Sequence, residues 1–593
     1  MSRKYSTFWK FALLAVAISL VAVAVGCATP TPKVIEKVIT QVVKETVKET
    51  VIVEGTPQVV EKEVTKVVEK EVTKVVEKVV TATPEPKPVE PVTLRVGMTY
   101  IWDTANPTFG WYNYGLRYLL YDTLVEEAGI SNFVPGLAES WTVSDDGLVW
   151  TFKIREGVTF HDGTSCTAED VAWSLNWTIE NEIETFSFYL VNFQEIIALD
   201  PTTLQVTLSE PVGNMEYLLM YVWILPRSVW EGMSYDDIME FEDFAAGTGT
   251  GPYKLIEWVE GEYLILEANE NYFRGDPAID RVVYQEYATE DVMVQALLAG
   301  EVDVIDTVPS TAIQTLEGVE NVELAVMWST EIDELIINSH ENGTQPASLN
   351  DPAVRLAIAY ATDKQQIVNV AYLGYAEPAT VVVPASLGKW HNSDIVDIPF
   401  DPTEGCRILE EAGYVDSDGD GIREDDDGNP LEYRLYATED ATPARILEII
   451  SDGLAQIGIS APPTLMDEDS LIGLYPDFDF DLIYWGWGLD PDPDFAMLIF
   501  TCDQREEGGW NDSGYCDEKF DEMYIQQGTM VDQEARRELI WQMQEQLFEE
   551  RPYIVLTYVQ NVQAFRSDRF TDFGLYAGDI LWKSAFLQAK PVQ

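Results

Sequence analysis

The chain has 593 residues, 37 Lys and Arg against 102 Asp and Glu, a net charge of −65 and only three histidines. So acidic a protein is not drawn to nucleic acid or to an acidic polymer, and three dispersed histidines assemble no histidine metal cluster. Its length exceeds what one hydrophobic core usually holds, so two or three lobes are expected.

Residues 1–27 read as a targeting segment: Met1-Ser-Arg-Lys4 is basic, a mostly apolar run reaches Val25, and Gly26-Cys27 follows. An apolar stretch of about 15 residues spans only roughly 22 Å as a helix, short of a ~30 Å hydrocarbon core. The expected processing is a signal peptide with lipidation at Cys27, which holds the mature chain outside the cytoplasm. A plain transmembrane helix is the alternative, and it also leaves the chain extracytoplasmic. No second long apolar run follows, so a permease role is not expected.

Residues 28–92 show no core pattern. Val59-Val-Glu-Lys-Glu-Val-Thr-Lys66 recurs at Val67 with period eight, and prolines stand at 84, 86, 88 and 91. That composition predicts a flexible tether, with a self-associating stalk as the other reading. Its charges nearly cancel, so the negative charge belongs to the body beyond it, for which a monomeric state is expected.

From residue 93 the pattern is mixed α/β. Thr93–Met98 and Leu204–Leu208 alternate as strands, while 351–373 and 533–548 have helical periodicity. Trp141, Trp150, Phe152 and Phe160 alternate with polar residues about the turn Asp145-Asp-Gly147, as core residues of a half-buried antiparallel sheet do. His161, in a His-Asp-Gly turn, reads as a hydrogen-bonded loop residue.

Several segments together carry a resemblance. They are Gly136-Leu-Ala-Glu-Ser-Trp141, Trp150-Thr-Phe-Lys-Ile-Arg155, Glu156-Gly-Val-Thr-Phe-His-Asp-Gly163, Thr167-Ala-Glu-Asp-Val171, Gly249-Thr-Gly-Pro-Tyr253, Asn271-Tyr-Phe273 and Ala299-Gly-Glu-Val-Asp303. The chain after residue 93 resembles family 5 extracellular solute-binding proteins of ABC importers, which serve peptides, nickel and some oligosaccharides. The resemblance implies a two-lobed α/β fold of the periplasmic-binding-protein kind (type II, with an extra subdomain), closing about crossing strands. Mapped onto this chain, lobe 1 comprises 91–137, 247–345 and 556–593, the extra subdomain 138–246, and lobe 2 346–555. Permease subunits are the implied partners.

The segment Asp481-Leu-Ile-Tyr-Trp485-Gly-Trp487-Gly-Leu-Asp490-Pro-Asp492-Pro-Asp494-Phe495 brings two indoles and a proline-stiffened acidic loop to one strand end. Indoles beside a fixed carboxylate suit a cationic ligand group. Peptide-binding members present Trp-x-x-Asp here, which implies that Asp490 meets a peptide's α-ammonium; an Asp that only orders its turn is the structural alternative. Arg445, near the start of a helix, stands where dipeptide binders place a carboxylate-contacting Arg, and bidentate pairing explains Arg over Lys. Trp111, Tyr112 and Tyr114 in Asn106–Tyr114 are candidate stacking or hydroxyl contacts.

Cys502 and Cys516 would close a short loop, and similar peptide binders carry a cysteine pair there, so a disulfide is expected; Cys166 and Cys406 are expected as buried thiols. Asp416-Ser-Asp418-Gly-Asp420-Gly421, with Asp427 twelfth, resembles a calcium loop, although Ile422 comes one position early; solvated acids in an Asp-Gly turn are the other reading. No cofactor is required. No G-x-S-x-G or H-E-x-x-H motif is present, and no enzyme activity is expected. The function expected is capture of di- or oligopeptides for import. Oligosaccharide is the alternative ligand, on the stacking surfaces of Trp111, Trp485, Trp487 and Trp510. A nickel chelate, or a sensing or adhesive role without transport, fits less well.

Overall fold

The computed structural model describes residues 41–53, 56–68, 90–101, 104, 106–108, 114–241, 243–341, 343–506, 508–575 and 578–592. They fall into two compact units divided at Val89 and Glu90. In the first, Gln41–Val53 and Thr56–Val68 pair antiparallel, with Lys48 opposite Glu61 and Val43 opposite Lys66. Part of the segment expected as a flexible tether is therefore a two-stranded ribbon, favoured by the β propensity of its many Val and Thr residues. The period-eight repeat masked that signal, because an even repeat satisfies strand alternation as well as it fits a spacer. Cys27 and the leader lie outside the described residues.

In the second unit a large mixed sheet runs, in spatial order, Tyr253–Val259, Tyr263–Ala268, Arg281–Glu286, Thr93–Met98, Val304–Ile305, Tyr553–Arg566, Val322–Ile337, Leu482–Gly488, Leu435–Thr438 and Pro463–Met466; Ala376–Pro378 adds to Tyr553–Arg566. The two long strands Val322–Ile337 and Tyr553–Arg566 pair antiparallel through the middle, with irregular register between Trp328 and Ile332. Buried residues divide at that irregularity. Val322, Ala325, Met327 and Val562 to Phe565 pack with clusters of the first half, whereas Ile332 to Ile337 and Tyr553 to Tyr558 pack with clusters of the second. This division lies inside the two strands, upstream of the expected 345/346 boundary and downstream of 555/556.

A four-stranded antiparallel sheet, Ala138–Val143, Val149–Ile154, Thr203–Leu208 and Phe193–Asp200 in spatial order, forms within residues 138–246. Trp150, Phe152 and Phe160 are buried in the core it shares with the first half, and Trp141 packs half-buried against them. Helix Ala168–Glu180 covers it, opened by a Thr167/Asp170 capping box.

Helix limits follow local chemistry. Asp351 caps Pro352–Ala361, Asp401 caps Pro402–Glu411, and Asp532 caps Gln533–Glu550, each accepting backbone N–H bonds in the first turn. The helical run expected over 351–373 is two helices, because Thr362 is extended and Asp363 caps a new start at Lys364. Cys166 is buried, as expected. Cys406 is half-buried, packed against the core of the second half with its Sγ 3.5 Å from the Gln456 carbonyl, which corrects the expectation of a buried thiol.

Candidate functional site

Strand Leu482–Gly488 runs antiparallel to Val322–Ile337, with Trp485 opposite Glu334 and Trp487 opposite Ile332, and parallel to Leu435–Thr438. Parallel strands deliver their following segments to one sheet edge, the edge at which open α/β sheets hold ligands. The segment after Gly488 carries Asp490, and the segment after Thr438 leads into helix Ala441–Gln456, with Arg445 in its first turns. Arg445 is half-buried and forms no ion pair or side-chain hydrogen bond among the described residues. The sheet thus brings an acid and an uncommitted guanidinium to one edge.

Asp490 is clasped from the other half of the molecule. Tyr217 donates to its Oδ2 at 2.7 Å and Tyr221 to its Oδ1 at 2.9 Å. Tyr189 stacks on Tyr221 at 5.0 Å and meets Tyr217 edge-on at 6.1 Å, so a third phenol ring backs the two that hold the carboxylate. Burial pushes the Asp490 carboxyl up to about 6; the two tyrosine hydroxyls oppose that rise, and Asp492 and Asp494 add to it. Glu127 stands close by and is pushed up to about 8, by burial first and by the Asp490 charge. The Ser131 hydroxyl reaches the Pro491 carbonyl, and beside this contact a cavity of about 540 Å³ opens between the 128–132 segment, Trp328, Ser386 and Leu575. That volume is of small-ligand size.

The same two halves also meet through backbone. The Gly213 N–H donates to the Gly528 carbonyl at 2.7 Å, and the Gln533 side chain donates to the Gly213 carbonyl at 2.6 Å. A Cβ at position 213 would lie 2.7 Å from the Met530 carbonyl oxygen, so the approach requires glycine.

The acidic loop is locked at its second and third aspartates. Asp492 takes a bidentate pair from Arg536 at 2.7 and 2.6 Å, both side chains being almost wholly buried. Arg536 also bonds Gln527 and lies 4.9 Å over the Trp390 ring. Asp494 accepts from Gln527 at 2.6 Å and from Tyr524 at 3.3 Å. These contacts make Asp492 and Asp494 structural and leave Asp490 as the carboxylate at the meeting of the halves.

Trp487, Phe495 and Trp510 form an edge-to-face cluster, with ring separations of 5.7 to 6.2 Å, and Trp510 is 51 % exposed. Trp510 lies in the loop closed by the Cys502–Cys516 disulfide. Trp485 is half-buried and meets Tyr475 edge-on at 6.4 Å, one strand pair away from Trp487. Tyr114 opens helix Tyr114–Tyr118, while Trp111 and Tyr112 lie outside the described residues, as does the side chain of Tyr114. His161 holds the Gly249–Gly251 backbone through both ring nitrogens, at 3.2 and 3.0 Å.

In the acidic loop after Tyr414, oxygens of Asp416, Asp418, Asp420 and Glu424 lie within 4.8 Å of one another. Glu424, the ninth position, takes the place expected of Asp427, the twelfth. Asp427 belongs to the next turn, where its N–H is bound by Asp425 at 2.9 Å. Four carboxylates so placed offer the hard oxygen set of a divalent cation.

Sequence reasoning missed Tyr189, Tyr217, Tyr221, Glu127, Arg536 and Asp512. Tyr217 and Tyr221, four apart in an otherwise apolar segment, are the one pair with a readable signal, since that spacing places two hydroxyls on one helical face.

Residues 132–508, more than half of the chain, match the model of bacterial extracellular solute-binding proteins, family 5. The chain is 28 % identical over 448 residues to the glutathione-binding protein GsiB of Shigella flexneri, covering 74 % of this chain and 82 % of the relative. It is 28 % identical over 456 residues to the oligopeptide-binding protein AppA of Bacillus subtilis, covering 75 % and 82 %. Among solved structures, that AppA protein in complex with a nonapeptide superposes with a TM-score of 0.66 at 24 % identity, covering 85 % of this chain and all of the other. A periplasmic oligopeptide-binding protein of Thermotoga maritima superposes with a TM-score of 0.74 at 21 % identity, covering 84 % and 99 %. The two-lobed α/β fold is common to all of these.

Proposed function

We propose that this chain, which belongs to the bacterial extracellular solute-binding proteins of family 5 and is the non-catalytic, substrate-binding component of an ABC import system, captures short peptides by their amino terminus. The observation that carries this reading is Asp490, one carboxylate held by Tyr217 and Tyr221 at the junction of the two halves, with Tyr189 stacked on Tyr221. An α-ammonium placed there gains a charge-assisted bond to the carboxylate beside the electron-rich rings of Tyr217 and Tyr221. Arg445, with no ion pair or side-chain hydrogen bond among the described residues and on the same sheet edge, is the proposed contact for the peptide carboxylate. The lobes divide where the buried clusters divide, inside the two long strands, and ligand contacts from both sides favour the closed form that permease subunits recognise. An oligosaccharide is the second reading, supported by the exposed indole of Trp510 beside Trp487. Mass spectrometry of the small molecule released from freshly purified protein tests both: a peptide is expected, and a glycan overturns the peptide reading.

Cys27 is the proposed lipid-anchoring site, which would place the body at the outer face of the cytoplasmic membrane or in the periplasm. Cells fed a labelled fatty acid should transfer the label to the wild-type chain and not to Cys27→Ala; equal labelling of both would refute the anchor.

A structural calcium ion is the proposed occupant of the Asp416, Asp418, Asp420 and Glu424 set, because the hard cation of extracellular surroundings matches four carboxylate oxygens. Titration with calcium is expected to give a dissociation constant of about 10⁻⁴ to 10⁻³ M and a raised melting temperature. Glu424→Gln should lose most of that rise, and Asp427→Asn should keep it. The reverse order would restore the twelfth-position ligand.

A further inference from the structure

Behind Trp487 two carboxyl side chains are sealed in the apolar interior of the second half. Glu334 is 0 % exposed, and neither of its carboxyl oxygens meets a hydrogen-bond partner. Asp512 is 6 % exposed; its Oδ2 accepts the Trp487 indole N–H at 3.1 Å, and its Oδ1 accepts the Tyr553 hydroxyl. The indole N–H is shared with the Tyr553 oxygen at 3.2 Å. The buried Tyr475 hydroxyl, also without a partner, completes the group. The titratable groups facing Asp512 are therefore Glu334 from Val322–Ile337, Tyr553 from the paired strand and Tyr475 from the turn before Phe478. Among the described residues neither acid forms an ion pair.

Two neighbouring buried acids with no counter-cation cannot both be ionised, because each charge forfeits its hydration and raises the cost of the other. Glu334, with no donor facing it, is the one that stays neutral. Asp512, with two donors, is the one whose ionised form is supported.

We infer that Asp512 is a positioning residue for the proposed ligand wall, and that beside a permanently neutral Glu334 it is a proton site that sets how firmly Trp487 is held. Ionised, the Asp512 carboxylate fixes the indole N–H from behind, and the exposed faces of Trp487 and Trp510 are presented as one surface. A proton arriving on Asp512 turns one acceptor oxygen into an O–H donor, so Trp487 and Tyr553 compete for what remains and the indole is released. Burial pushes Asp512 up to about 7, against the lowering pull of Tyr553 and Trp487, which puts the change within the physiological range. Burial likewise holds Glu334 well above the ordinary carboxyl range, with the Asp512 and Asp333 charges adding to it. The positioning role rests on the reading of Trp487 as a ligand contact; the proton site does not.

The test uses the whole protein labelled with ¹⁵N-tryptophan, the Trp487 indole resonance being identified by its loss in Trp487→Phe. Between about pH 5 and 9 that resonance is expected to shift with a midpoint near 7 in the wild type, to be flat in Asp512→Asn, and to keep its midpoint in Glu334→Gln, an uncharged isostere of a neutral acid. A resonance insensitive to pH in the wild type overturns the proton site, as does an unchanged titration in Asp512→Asn. Calorimetry with trialanine reads the second arm. Asp512→Asn should bind about tenfold more weakly at pH 8 and lose the change in affinity centred near pH 7, while keeping the separate fall below pH 6 that belongs to Asp490. Equal binding by both proteins overturns the positioning role. If trialanine does not bind the wild type at all, the peptide reading fails, and the resonance still decides the proton site.

Discussion

Replacing Arg536 by methionine is expected to cost about 3 to 5 kcal/mol of folding stability, because it strands the Asp492 carboxylate in a dry interior. The pair is bidentate, both members are almost wholly buried, and the guanidinium also lies against Trp390 and binds Gln527. The loss should appear as a lower urea midpoint. It should be largely recovered in the double variant Arg536→Met with Asp492→Asn, where no buried charge remains and the amide oxygen still accepts the Asp494 N–H. Since Gln527 joins Arg536 to Asp494, the single variant should also loosen the turn that carries Asp490 and weaken ligand binding beyond its effect on stability. A loss below about 1 kcal/mol would mean that water reaches the pair and that the loop does not depend on it.

Asp490→Asn is expected to lower affinity for a short peptide with a free amino terminus by more than tenfold, since a hydrogen bond to a charged group contributes about 1.5 to 3 kcal/mol. The wild type should discriminate equally against the same peptide after N-acetylation, and the variant should be indifferent to acetylation. Equal affinities across all four pairings would remove the ammonium contact. Acidity offers an independent check. The folded carboxyl sits near 6, above its unfolded value, so ionising it in place costs stability: that contribution is fully present below the unfolded value and is lost as pH rises through about 6. Binding a cation needs the ionised form, so affinity should fall by up to about tenfold per pH unit below 6. The fall should be absent in Asp490→Asn.

Much of the fold was legible because its signals are local. Alternation marked Val149–Ile154 and Thr203–Leu208 as strands, helical periodicity marked the runs that begin at 351 and 533, and the paired cysteines bond as expected. The site was legible only on one side. Asp490 and Trp487 stand in a conspicuous acidic and aromatic run, but the partners of Asp490, Tyr217 and Tyr221, lie some 270 positions away. Arg536 reads as one more charge on a helix until the fold buries it, and Glu334 sits in a strand whose alternation puts a polar residue toward the core. Pairing across such distances is decided by tertiary burial, which leaves no periodic trace in the chain. The acidic loop after Tyr414 shows the same limit at short range: the motif marks the acids, but whether the ninth or the twelfth joins them depends on the turn at Asp425, where Asn429 closes a separate knot.

The two halves are fastened at places of opposite chemistry. The latch at Gly213 consists of main-chain amide and carbonyl groups and one glutamine side chain, none of which titrates or answers to ionic strength. The grip at Asp490 does both. With Asp490 as the proposed contact for a cargo's charged end, the jaws would stay shut at one corner in an acidifying medium while that hold slackens, so unloading would not require the whole clamp to spring open first.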